Sequence, residues 1–163
     1  IVLVIGKTEG HIDQSVFARN ILDEKNGPPP EVNLFNEKNN GETVLKLIDA
    51  GLIKSAHDVS LGGIITAISK MCIKGNKGIN LKKPKYLISD IEYFFSEDQG
   101  RYLIEVTKKD LKKVTNVLDK NAVHYDELGV INEDQLYINE KSKITIDELK
   151  SSNTSWLNNY MDN

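Results

Sequence analysis

The first six residues, Ile1-Val2-Leu3-Val4-Ile5-Gly6, contain no polar side chain and read as a strand buried on both faces. From Gln14 to Leu22 the period changes, with Val16, Phe17, Ile21 and Leu22 at helical spacing. Gly27-Pro28-Pro29-Pro30 then stops regular structure, as a linker does. A second helix is expected from Asn36 to Ala50, with Val44, Leu45, Leu47 and Ile48 inward and Gly51 as its C-terminal cap. A third follows from Ile64 to Met71. The Gly75-Asn76-Lys77-Gly78 turn then leads into a short strand around Ile79 and Leu81.

The second half alternates in the same way. Ser96 to Gly100 forms a polar turn, and Tyr102, Leu103, Ile104 and Val106 make a strand. Lys108 to Lys120 is an amphipathic helix with Leu111, Val114, Val117 and Leu118 on one face. Strands are expected near Val123, Leu128 to Ile131, Leu136 to Ile138 and Ile144 to Ile146, before a last helix from Asp147 to Met161. This alternation, without repeats, predicts an α/β (α+β) fold: a mixed sheet covered by helices.

Composition narrows the function. In 163 residues, 39% are hydrophobic and 28% charged, enough to bury a core and too ordered a mixture for a disordered chain. A formal charge of -3 gives no basic field for nucleic acid, and no apolar run approaches the ~20 residues of a membrane span. The expectation is a cytoplasmic protein with neither nucleic-acid nor membrane partners. Cys72, the single cysteine, lies in an apolar helical pattern and reads as a buried small hydrophobe. A chain that starts inside a core strand reads as a fragment, whose first strand, stripped of its sheet, would be its weakest element.

Two stretches concentrate special residues. In "AHDVSLGG", Ser60 stands where an N-cap belongs, and Gly62 and Gly63 leave bare amides at the start of a helix. Such an end suits a phosphate; it equally suits close packing of strand on helix. His57 and Asp58 alternate across the strand before it, one toward the core and one toward a cleft. In "FFSEDQGRY", Glu97, Asp98 and Gln99 precede Gly100 and Arg101; these could hold a cation and an anion, or form a solvated turn with Arg101 paired to a carboxylate. His11 and His124 have no ligand-spaced partners, and the 108–113 lysines read as a solvated face.

Together, "AHDVSLGG", "FFSEDQGRY" some 35 residues later and the terminal "WLNNYM" resemble the last domain of the bacterial phosphoribosylformylglycinamidine synthase family, PurL type, within the PurM-like (AIR synthase-related) superfamily. The resemblance covers essentially the whole chain. It implies a PurM C-terminal-domain-like fold over residues 36–163, with residues 1–35, including "IGKTEGHIDQS", as the tail of a preceding PurM N-terminal-like domain plus linker. It also implies a parent ligase. With ATP and Mg2+, that enzyme would convert formylglycinamide ribonucleotide and glutamine-derived ammonia to formylglycinamidine ribonucleotide.

The resemblance places the family's catalytic histidine, its ATP contacts and most of its magnesium ligands upstream. This piece alone is therefore expected to have no catalytic residue, no metal ligand, no bound cofactor and no activity. His57, Asp58, Ser60, Gly62, Gly63, Glu97, Asp98, Gln99 and Arg101 become an auxiliary nucleotide or phosphate site, Glu97-Asp98-Gln99 being the internal counterpart of the first half's substrate-contacting Glu-Ser-Gln. Leu61 and Asn33 stand where the family usually has aspartate. Implied partners are a glutamine amidotransferase subunit, a small accessory subunit and the remainder of the same chain; the piece alone is expected to self-associate. The alternative is an interface domain of another ATP-dependent enzyme of the superfamily, of the aminoimidazole ribonucleotide synthase or selenophosphate synthetase type.

Overall fold

A computed structural model describes residues 1–85, 88–139 and 142–161, apart from the side chains at 158 and 159. In chain order the elements are β1 (Val2–Ile5), α1 (Val16–Asn20), α2 (Leu34–Asp49), β2 (Ser55–Val59), α3 (Gly63–Gly75), β3 (Gly78–Leu81) and α4 (Asp90–Phe95). They continue as β4 (Arg101–Glu105), α5 (Leu111–Lys120), β5 (Tyr125–Asn132), β6 (Gln135–Ile138), β7 (Ser142–Thr145) and α6 (Ile146–Met161). The strands form one mixed sheet in the order β2-β4-β1-β5-β3-β6-β7. Among the described residues only the β3–β6 pair is parallel.

β1 shows why the fold holds together. It lies between β4 and β5, and its side chains alternate across the sheet. Val2 and Val4 enter a core with Ile64, Ile68 and Cys72 of α3, Tyr93 and Phe94 of α4, and Ile146 of α6. Leu3 and Ile5 enter the opposite core with Val44 and Leu47 of α2 and Val114 and Leu118 of α5. All four β1 residues are buried, each contributing on the order of 2 kcal/mol of apolar transfer. The strand expected to be weakest is thus an interior one, third of the seven in the sheet, because two neighbours satisfy its backbone and two cores its side chains. The division expected between residues 35 and 36 crosses this sheet: residues 2–5 share both cores with residues of the later segment.

Most expected elements form within a few residues of their expected bounds, and the exceptions have local causes. α1 is shorter than Gln14 to Leu22. Ser15 caps it by accepting from the Ala18 amide, Gln14 has a φ of 61°, and Asp23 a φ of 54°. The strand expected near Val123 begins at Tyr125 and runs unbroken to Asn132, so two expected strands are one. α5 starts at Leu111 because the Thr107 hydroxyl and Asp110 close a turn at 2.7 Å ahead of it. Cys72 is buried, and desolvation pushes its thiol pKa up to about 11, as expected of an inert core residue. No described helix is long and apolar enough to cross a membrane.

Candidate functional site

The β2–α3 junction is built differently from the expected cap. Ser60 is exposed and supplies only its carbonyl, which accepts from the Gly63 amide at 3.0 Å. The N-cap is Gly62, with a φ of 79° and no side-chain cap. The anion that satisfies this helix start comes from the chain itself. Glu97 Oε1 accepts from the Gly62 amide at 2.8 Å and from the Val16 amide at 2.8 Å. A carboxylate at the N-terminal end of α3 interacts favourably with the exposed amides and the helix dipole, as a phosphate would. Gly63 leaves no spare room: its φ is 68°, and a Cβ there would lie 2.5 Å from the Ser96 carbonyl oxygen.

The "SEDQGR" segment is the other half of the same assembly. Asp98 accepts three backbone amides, with Oδ2 receiving those of Glu9 at 3.0 Å and Gly10 at 3.1 Å and Oδ1 that of His11 at 3.1 Å. Arg101 is 1% exposed. Its Nε donates to the Asp98 carbonyl at 3.1 Å, Nη1 to Thr8 Oγ1 at 3.1 Å and Nη2 to the Ser96 carbonyl at 2.8 Å. The Asp98 carboxylate lies 3.7 Å from Nη1. Burial pulls the Arg101 pKa down while Asp98 pulls it up, and an arginine remains charged in either case. A buried guanidinium thus joins the 7–16 loop to the start of β4.

The other expected site residues fall outside this assembly. His57 and Asp58 lie on the edge strand β2, where His57 Nδ1 is 2.6 Å from the Asp58 carbonyl and 3.4 Å from its carboxylate. Gln99 is exposed and donates to the Glu97 carbonyl at 3.3 Å. Leu61 is exposed, with no polar role to lose. Asn33 keeps the function an aspartate would have, since its Oδ1 caps α2 by accepting from the Asn36 amide at 3.0 Å. Among the described residues no three His, Cys, Asp or Glu side chains are grouped to hold a metal ion. Both Asp98 oxygens are committed to amides, so this donor set does not fit a magnesium ion.

Beside the assembly lies a polar cleft of about 600 Å³ that sequence reasoning did not find. Lys7, His11, Asn36, Asn40, Gln99 and His124 are among the residues around it. The two histidines that looked isolated share this cleft because β1 delivers the 7–11 loop beside the start of β5. One signal could have revealed the loop's importance: two glycines, Gly6 and Gly10, flank "KTE", and both have positive φ.

The two-sided sheet with its junction clamped by Glu97, Asp98 and Arg101 defines an α/β domain of the AIR synthase-related type. The chain belongs to the family described as AIR synthase related protein, C-terminal domain, whose profile matches residues 1–139. Among its relatives is the phosphoribosylformylglycinamidine synthase subunit PurL of Pelagibacter ubique, 69% identical over all 163 residues, which make up 22% of that protein. The PurL of Bartonella bacilliformis is 36% identical over the same span, again 22% of its length. The chain therefore spans about a fifth of the curated relatives it matches. Its fold is also that of T. maritima PurL complexed with FGAR, at a TM-score of 0.72 and 19% identity, covering 91% of this chain and 27% of that one.

Proposed function

We propose that this chain is a domain of a PurL-type phosphoribosylformylglycinamidine synthase. The observation that carries the reading is the 69% identity to a PurL subunit across every residue of the chain. In the whole enzyme ATP, with Mg2+, activates the formamide oxygen of formylglycinamide ribonucleotide, and ammonia from glutamine displaces the phosphate to leave formylglycinamidine ribonucleotide. The amidotransferase subunit and the small accessory subunit are its partners, and the cytoplasm its location. The share of this chain is architectural. Glu97, Asp98 and Arg101 hold the β2–α3 junction and the 7–16 loop in one arrangement, and Glu97-Asp98-Gln99 is the vestigial counterpart of a substrate site.

The nine residues of the auxiliary site divide within this reading. Gly62, Gly63, Glu97, Asp98 and Arg101 form the clamp, and the Glu97 carboxylate on the Gly62 amide supports a structural role over a phosphate site there. His57, Asp58, Ser60 and Gln99 stay outside it. The exposed Trp156 and Tyr160 of α6 and Leu34 and Phe35 of α2 belong to surfaces that the rest of the enzyme covers, so the chain alone self-associates.

The test has two arms. The full-length protein containing this segment is assayed for product with ATP, Mg2+ and high ammonium, and this chain alone is assayed beside it. Product from the first and none from the second is expected; an inactive full-length protein, or turnover by the chain alone, overturns the reading. Titration of the chain with ADP and Mg2+ is expected to leave the amide resonances of Ser60 to Gly63 in place, and saturable shifts there restore the phosphate site.

A further inference from the structure

We propose that the cavity at the far end of α3 is a binding site for a small amphipathic anion, a ligand with an apolar body and a carboxylate or sulfonate head. The cavity measures about 630 Å³ and opens between the C-terminal half of α3 and the sheet. Val2, Met71, Cys72, Ile79 and Ile131 form its apolar wall. It lies well away from the clamp: α3 is 13 residues long, about 20 Å from end to end at the helical rise.

The rim supplies the charge. Lys70, Lys74 and Lys77 all line the cavity, and none of their ammonium groups forms an ion pair or hydrogen bond with a described residue. Lys74 alone, in the last turn, is explained by the helix dipole. Lys70 and Lys74 are four residues apart on one helix face, a like-charge spacing that mildly destabilises the helix. Lys77 is returned to the same rim by Asn76, whose φ of 50° reverses the chain after α3. The one carboxylate lining the cavity, Glu105, accepts from the Ser55 hydroxyl at 2.9 Å. An apolar wall beneath three unneutralised ammonium groups is complementary to a ligand that buries its body and leaves its head at the mouth.

Octanoate and its neutral analogue octanol serve as probes, followed through the methyl resonances of Met71, Ile79 and Ile131 in the 163-residue chain. Octanoate is expected to shift these methyls saturably and to bind at least 10-fold more tightly than octanol. The exposed substitutions Lys70→Glu and Lys74→Glu together are expected to weaken octanoate at least 10-fold and leave octanol unchanged. In the wall itself the near-isosteric Cys72→Ser serves as a second probe, expected to weaken both ligands. Absence of saturable shifts, equal affinity for acid and alcohol, or shifts confined to the exposed aromatic residues of α6 overturns the proposal.

Discussion

The two ends of α3 present the same helix in opposite electrostatic conditions. At its start the exposed amides meet a carboxylate brought from 35 residues downstream, and that carboxylate also holds the Val16 amide at the beginning of α1. At its end three lysines gather around an apolar cavity, and among the described residues no carboxylate is paired to any of them. The first end is closed by the chain's own groups, so a change there removes a partner from something already buried. The second end carries charge that the fold itself does not use. Stability should therefore be concentrated at the start of α3, and any capacity to recruit an external ion at its end.

The largest effect is expected for Arg101→Met. The substitution keeps apolar volume, removes the counter-charge 3.7 Å from the Asp98 carboxylate and takes the guanidinium donors from the Thr8 hydroxyl and two carbonyls, and urea denaturation should record a loss of about 3–5 kcal/mol. A loss below about 1 kcal/mol would mean that the guanidinium is dispensable and that the clamp does not hold the start of α3. Gly63→Ala comes next. It combines a left-handed backbone with a Cβ 2.5 Å from a carbonyl oxygen, and about 1–3 kcal/mol should be lost on thermal unfolding.

The start of α4 sharpens the contrast, because it is closed by its own first turn and not by a distant residue. The Ser89 hydroxyl accepts from the Glu92 amide at 3.1 Å, and Glu92 Oε2 accepts from the Ser89 amide at 2.6 Å. Ser89→Ala is expected to cost about 1 kcal/mol in the same denaturation assay. The hydrogen bonds from the Ser89 backbone and hydroxyl lower the Glu92 pKa from its ordinary 4.5. A depressed folded pKa makes this contribution fully present above the ordinary value and lost as pH falls through the lowered one. Ser89→Ala should therefore flatten the decline of stability on acidification, which a pH series of melts would measure.

The smallest effect has the opposite sign. Lys70→Glu relieves a like-charge pair and forms an i,i+4 pair of the favourable orientation with Lys74, so the melting temperature should stay level or rise slightly, by a few tenths of a kcal/mol in stability. A clear destabilisation would show that Lys70 is engaged by the fold, and the two ends of α3 would then differ less than their contacts indicate.

How far the site could be read in advance differs by residue. Arg101 and Asp98 were recognisable as a possible pair because they sit three apart in one turn, and their pairing is local. Glu97 could be read as a cation ligand or a solvated turn residue, since nothing in its neighbourhood shows that the Gly62 amide lies against it. Ser60 looked like a cap because the residue type suits one. The positive φ of both glycines instead moves the helix start two residues on and leaves that hydroxyl exposed. His11 and His124 meet around one cleft only through the pairing of β1 with β5.

By itself the sequence determined the periodic elements: four apolar residues at β1, the amphipathic faces of α2, α3 and α5, and the Gly-Pro stop after α1. These depend on spacing along the chain, which the chain carries explicitly. Only the tertiary structure decided that β1 lies inside the sheet between β4 and β5, that β3 and β6 run parallel, and that the anion at the start of α3 is Glu97. Each of those outcomes depends on which distant segments become neighbours. A strand buried on both faces satisfies the same apolar pattern at many positions in a sheet, and a bare amide accepts a carboxylate as readily as a phosphate; packing chooses between them by what it brings within hydrogen-bonding distance.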